Sequence, residues 1–296
     1  MSDLRDVVSW QRGLGMLLLV AAILLAAVSL TGLHESFAAL GNVQAGILAS
    51  LIAGLFTPVG ALPILLLRRI GQRLEDSLMG FGAGVMLAAT AYSLMLPGFE
   101  EALTLSRSQG LALAIVCAGM TLGGVAILAI ERLLPHEHFA LGKQSGADAL
   151  QIRRIWLFVL AITIHNFPEG VAVGVGYGTG DVSAGLALTL GIGIQNLPEG
   201  LIVALGLIAI GYSRGMALLA ALISGLVEPI GGIVGALAVN LASALLPLGL
   251  AFAAGAMLFV ISHEVIPESH RKGHESFATA GVLLGFMLMF VFTQVL

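Results

Sequence analysis

Long apolar runs separated by short polar breaks fill the chain from about residue 13 to its C-terminus. A helix needs about 20 residues to cross a hydrocarbon core of ~30 Å. Nine runs meet that length and are expected to be helices, at 13–31, 46–67, 79–99, 111–131, 155–178, 183–206, 214–236, 246–266 and 276–295. The breaks set the orientation. Arg5, Arg12, Arg68, Arg69, Arg73, Arg132, Lys143, Arg153, Arg154, Arg214, Arg271 and Lys272 all fall on one side, and of the basic residues only Arg107 falls on the other. Short basic loops stay in the cytoplasm, so the N-terminus is expected inside and the C-terminus outside.

This pattern divides the chain into an N-terminal transmembrane helix with its outer loop, 1–45, and a core, 46–296, interrupted by a flexible cytoplasmic loop at 132–154. Residues 1–31 also suit a signal peptide; the length of the apolar run favours a true helix. Composition agrees with the pattern. The 296 residues are 58% hydrophobic and 10% charged, against roughly 25% charged in a soluble globule. A multi-pass membrane location follows, with the lipid bilayer as the main partner, and a homodimer is a candidate assembly. One cysteine, Cys117, excludes a disulfide framework and a thiolate-rich metal site. No basic, aromatic-interleaved patch points to nucleic acid. Glycine pairs at four-residue spacing, 80/84, 119/123, 170/174 and 231/235, let helix backbones approach closely in lipid. They also leave smooth faces on which one helix group could slide past another.

The chemistry lies in two related hexapeptides, His165-Asn166-Phe167-Pro168-Glu169-Gly170 and Gln195-Asn196-Leu197-Pro198-Glu199-Gly200. At 1.5 Å per residue each is roughly 15–18 Å from its helix end, near the bilayer midplane. The two runs are consecutive and antiparallel, so the motifs reach one depth from opposite sides, as in an inverted repeat. His165 shares a helix face with Glu169, and Gln195 with Glu199. Pro168 and Pro198 free the carbonyls of Ile164 and Ile194. Glu228, before Pro229, adds a third carboxylate at similar depth. Three buried glutamates cost on the order of 8–10 kcal/mol without compensation, and no basic residue lies at that depth. Divalent cations are the natural counter-charge. Imidazole nitrogen with carboxylate and amide oxygen suits Zn²⁺, Cd²⁺, Fe²⁺ or Mn²⁺ and disfavours Cu⁺. His263 and Glu264, near the inner end of their helix, are candidates to relay ions to the cytoplasm. His136 and His138 in the 132–154 loop are candidates to collect them, or belong to a plain solvated linker.

These residues resemble the ZIP family of divalent metal transporters, and its bacterial members in particular, which implies a bacterial inner (plasma) membrane location. The paired hexapeptides, Glu228-Pro229 and the stretch His263–Glu268 carry the resemblance across 46–296. It implies an all-α polytopic fold, an eight-helix core with inverted repeats, to which the helix at 13–31 is an addition. It also implies a two-metal centre with zinc as the main substrate, and a four-helix group that carries the site in an elevator-like movement. By position, His165, Glu169, Gln195, Glu199 and Glu228 resemble first-site ligands and Asn166 and Asn196 second-site ligands. Asn196 stands where many relatives are expected to carry an acid.

Two other classes compete. An intramembrane metalloprotease needs His-Glu-x-x-His on one helix, whereas the order here is His-Asn-x-x-Glu. A proton- or sodium-coupled carrier of an organic solute would account for buried carboxylates but not for His165 with doubled amides.

Overall fold

Every span expected from residue 46 onward forms. The protein was analysed as a computed structural model that describes residues 32–67, 69–133 and 147–295. Among the described residues there are eight helices long and apolar enough to cross a membrane, and no strand. They are α1 (Asn42–Leu65), α2 (Gln72–Ser106), α3 (Gln109–Ile130), α4 (Ile155–Thr179), α5 (Val182–Ala209), α6 (Arg214–Leu241), α7 (Leu246–His270) and α8 (Glu275–Val295). The expected helix at 13–31, and with it most of the 1–45 segment, lies outside the described residues, as do His136 and His138. The helix continuing into α4 begins at Ala147, so part of the stretch expected as loop, 147–154, is helical.

The spans alternate in direction, and their ends gather accordingly. Arg69, Ile155, Ala209 and Lys272 line one shallow cleft, while Asn42, Gly178 and Asn240 line another at the opposite end. The first of these ends carries Arg69, Arg271 and Lys272. There Lys272 lies 2.6 Å from Glu75 and 3.5 Å from Glu268. Burial opposes its charge, but the hydrogen bond to Glu75 and the fields of Glu75, Glu268 and Asp76 outweigh that penalty, so its pKa is raised. Asp76, fully buried, accepts from Gln72 at 2.9 Å and sits 3.0 Å from His274 Nδ1. These contacts tie the starts of α2 and α8 to the end of α7.

The eight helices pack as two groups. In one, α1 lies on α5 and α6 on α4; in the other, α8 lies on α2 and α7 on α3. In lipid, close packing rather than hydrophobic expulsion drives association, and the paired glycines supply it. A Cβ at Gly80 or Gly84 would collide with the backbone of Ala278 or Val282, and one at Gly123 with that of Phe252. Gly170 and Gly174 abut Glu228 and Gly232, and Gly231 and Gly235 abut Phe167 and Val171. All these contacts join helices of the same group. The idea that the glycine pairs form sliding faces between groups is therefore wrong; they weld each group together. Between groups the glycines meet side chains instead, Gly191 against Met289 and Gly82 against Gln195.

Two spans contain a wide helical turn. Ala89–Met95 in α2 precedes Pro97, and Ile261–Val265 in α7 precedes Pro267. Proline removes one i→i−4 bond, and an inserted π-turn is a common way for a helix to accommodate such a break. In α7 this turn carries His263 and Glu264.

Candidate metal site

The α4 and α5 motifs meet α6 and α1 in the middle of the first helix group. Pro168 and Pro198 sit within continuous helices, so each motif keeps its helical face. His165, Asn166, Glu169, Gln195, Asn196, Glu199 and Glu228 are all buried, none more than 8% exposed. A chain of hydrogen bonds links four of them. Gln195 Nε2 donates to Glu169 Oε1 at 2.6 Å and to Asn196 Oδ1 at 2.7 Å. Asn196 Nδ2 donates to Glu228 Oε1 at 2.5 Å and to the Ala53 carbonyl of α1 at 3.0 Å. Glu199 and Glu228 lie near enough to Glu169 to act on it as like charges. Among the described residues no arginine or lysine is buried, so none of these offsets the carboxylates there.

The two motifs make matching contacts, position by position. Asn166 Nδ2 donates to the Ser224 carbonyl of α6 at 2.8 Å, as Asn196 does to Ala53 of α1. Gly231 packs against Phe167, and Gly60 against Leu197. Gly170 abuts the Glu228 carbonyl, and Gly200 abuts the Thr57 carbonyl. The partners match too: Gly225-Leu226-Val227-Glu228-Pro229-Ile230-Gly231 in α6 repeats as Gly54-Leu55-Phe56-Thr57-Pro58-Val59-Gly60 in α1. Proline explains the local shape of α6. Pro229 frees the Gly225 carbonyl, the helix breaks at Leu226, and Glu228 stands in the first turn of the helix that resumes. A carboxylate is favoured at that end of a helix.

The remaining buried polar atoms fall in the same place. Among the described residues, the buried side-chain atoms without a hydrogen-bond partner are Thr57 Oγ1, both His165 ring nitrogens, Asn166 Oδ1, and one oxygen each of Glu169, Gln195, Glu199 and Glu228. Every one belongs to the two motifs or to the matched residues Thr57 and Glu228. An unpaired buried polar group costs ~1–3 kcal/mol, and nitrogen and oxygen atoms gathered in this way could hold a cation. Among the described residues no three His, Cys, Asp or Glu side chains form a finished coordination shell. The physical reason is visible in the chain of bonds: amide NH₂ groups of Gln195 and Asn196 reach the carboxylates first.

His165 and Glu199 also line a cavity of about 710 Å³ that passes His263, Glu264 and Glu268 and ends at Arg271, at the basic end of the bundle. Glu264 is closer to the motifs than its position in sequence suggested. Its Oε2 lies 3.0 Å from His165 Nε2, an ion-pair contact without hydrogen-bond geometry. His263 stacks against Phe259, with ring centroids 5.1 Å apart. Toward the opposite end the helices close over the motifs, with Ala49, Ala53, Met86, Ala172, Val175 and Ile192 buried and Phe37 stacked on Tyr177.

Three participants escaped sequence reasoning: Thr57, Ser224 and the Ala53 carbonyl. Ser224 lies one turn before Glu228, which was a usable signal, and the internal repeat around Thr57-Pro58 was another.

Comparison with known proteins agrees with the geometry. Residues 131–293 match the family model described as ZIP Zinc transporter. The chain is 46% identical over 273 residues to zinc transporter ZIPB of Bordetella bronchiseptica, covering 92% of this chain and 85% of that protein. It is 47% identical over 251 residues to zinc transporter GufA of Myxococcus xanthus, covering 83% and 97%. Zinc transporter ZIP11 of Homo sapiens is 33% identical over 313 residues, covering 79% and 92%. The chain belongs to the ZIP zinc transporter family.

Proposed function

We propose that the protein carries Zn²⁺ across the plasma membrane into the cytoplasm through the site between α1, α4, α5 and α6. The observation that carries this reading is the collection of unpaired nitrogen and oxygen atoms on His165, Asn166, Glu169, Gln195, Glu199 and Glu228. One imidazole and several carboxylate and amide oxygens suit a borderline divalent ion. Cd²⁺, Fe²⁺ and Mn²⁺ are expected to compete with zinc for the same donors.

Direction follows from the cavity. It joins His165 and Glu199 to the end carrying Arg271 and Lys272, and a cytoplasmic assignment of that end places the chain's C-terminus outside. An ion leaving His165 meets Glu264 first, then His263 and Glu268 on the way to the mouth. These residues serve as successive weak partners. Alternating access is a movement of the site-bearing group α1, α4, α5 and α6 against α2, α3, α7 and α8. The backbone welds within each group, and the softer side-chain contacts between them, support that division. The matched contacts of the two motifs support an inverted repeat.

The test is zinc entry into liposomes loaded with a zinc-sensitive dye. Wild type is expected to fill the vesicles, and His165→Ala and Glu169→Ala to fall to the rate of empty liposomes. Equal influx in all three would remove the site assignment; no influx with folded wild type would remove the transport reading.

A further inference from the structure

Asn196 differs from every other polar member of the two motifs. Each of the others leaves at least one buried nitrogen or oxygen unpaired, whereas every polar atom of Asn196 has a partner. Only its oxygen can ligate a metal, because an amide NH₂ is a donor without a lone pair to offer. That oxygen is turned toward the Gln195 NH₂, away from Glu228. Both its N–H groups point at acceptors, the Glu228 carboxylate and the Ala53 carbonyl.

Turning the amide over would not help. Oδ1 would then face two acceptor oxygens, exchanging two hydrogen bonds for two repulsions. The Ala53 carbonyl is a fixed acceptor on a neighbouring helix, so it dictates which way Asn196 points. Asn166 shows the opposite arrangement. Its NH₂ is tied to the carbonyl and hydroxyl of Ser224, at 2.8 and 3.1 Å, which leaves Oδ1 buried and free to face an ion.

Charge follows the same asymmetry. The α4 motif brings His165 and Glu169 and packs on α6, whose Glu228 carboxylate reaches across to Asn196. The α5 motif has Gln195, Glu199 and, in the place matching Glu228, the neutral Thr57. Thr57 cannot settle its hydroxyl in the usual way either. Thr90 and Thr189 donate to the carbonyl four residues back, but for Thr57 that carbonyl is Ala53, already held by Asn196.

We infer that this protein carries a single zinc ion in the site, and that the Asn196 amide stands in the second position of the two-ion centre that the family resemblance implies. The amide's hydrogens supply Glu228 and Ala53 with the positive partner a second ion would otherwise provide. This rests on the zinc-transport reading above and specifies its stoichiometry.

The experiment counts zinc bound per protomer at saturation, by elemental analysis of purified full-length protein after removal of free metal. A Glu169→Gln/Glu228→Gln double variant, which keeps the loop histidines, provides the baseline to subtract. Wild type is expected to hold one ion above baseline and Asn196→Asp two, because a carboxylate there repels Glu228 and opens the position to a cation. X-ray absorption should then show a metal–metal distance in Asn196→Asp only. Two ions in wild type, or one in a folded Asn196→Asp, would overturn the inference. If Asn196→Asp does not fold, the wild-type count decides alone. No ion above baseline in wild type would instead refute the transport site itself.

Discussion

The α4 and α5 hexapeptides are framed alike and furnished differently. Position by position they make the same backbone contacts: an amide on a carbonyl one helix away, an apolar residue against a glycine, and a terminal glycine against a carbonyl. What those frames hold is unequal. One presents His165 and packs on α6, which carries Glu228; the other presents Gln195 and packs on α1, which carries Thr57 at the matching place. The scaffold of the site is therefore symmetric and its charge is not. On the proposed transport reading, a symmetric frame would let the site be reached from either side of the membrane. Asymmetric contents would let it hold an ion with one strong nitrogen donor while keeping the other half weak enough for release.

The largest effects should come from breaking the shared frame. Gly170→Ala and Gly200→Ala each drive a methyl group into a backbone carbonyl, of Glu228 and of Thr57. A backbone atom in a packed helix cannot swing aside, so each change should cost ~3 kcal/mol or more, the upper end of overpacking penalties. Thermal unfolding in detergent should show both variants falling by similar amounts. A variant that fell alone would mean that the frames are not equivalent.

Next in size is making the contents equal. Thr57→Glu gives α1 the carboxylate that α6 has, adding a buried charge worth ~2.5–3.5 kcal/mol against insertion. The melting temperature of the metal-free protein should drop clearly, and zinc should recover most of the loss. A drop that zinc fails to repair would show that residue 57 faces packing rather than the ion.

How much of this could be read beforehand depends on which signal each residue leaves in the chain. The eight described spans were visible because burial in lipid forces long uninterrupted apolar runs. The candidate-site residues stood out because a carboxylate, an imidazole or a carboxamide in such a run is costly. Thr57 and Ser224 were missed because a hydroxyl in a membrane helix is inexpensive: it commonly bonds its own backbone, as Thr163 does to Val159. The Ala53 carbonyl was missed because backbone groups leave no mark in the sequence. Glu264 was found, but its contact with His165 depends on the wide turn before Pro267 and on packing across the two groups. Neither follows from counting residues along one helix.

Gln195→His tests the asymmetry from the other side. A second imidazole should tighten zinc by about tenfold, near 1.4 kcal/mol, and slow its release to a similar degree. In the liposome assay, zinc affinity should therefore rise while maximal influx falls. Parallel increases in both would show that release is not governed by the number of nitrogen donors.

The smallest change isolates the support of one amide. Ser224→Ala removes the hydroxyl that accepts from Asn166 at 3.1 Å but leaves the Ser224 carbonyl, which accepts at 2.8 Å, in place. Thr163 loses a partner as well, yet keeps its bond to Val159. One buried N–H is left without its second acceptor, at ~1 kcal/mol, and Asn166 gains freedom to turn its oxygen away from the site. Zinc affinity should weaken by roughly fivefold, the equivalent of ~1 kcal/mol, with little change in melting temperature because the carbonyl bond persists. Ser224→Thr, which restores a hydroxyl, should recover the affinity. The α5 motif has no hydroxyl in this role, since Asn196 donates instead to Glu228. The serine is thus needed only where the amide oxygen must stay free, and a full loss of binding in Ser224→Ala would mean that its own oxygen touches the ion.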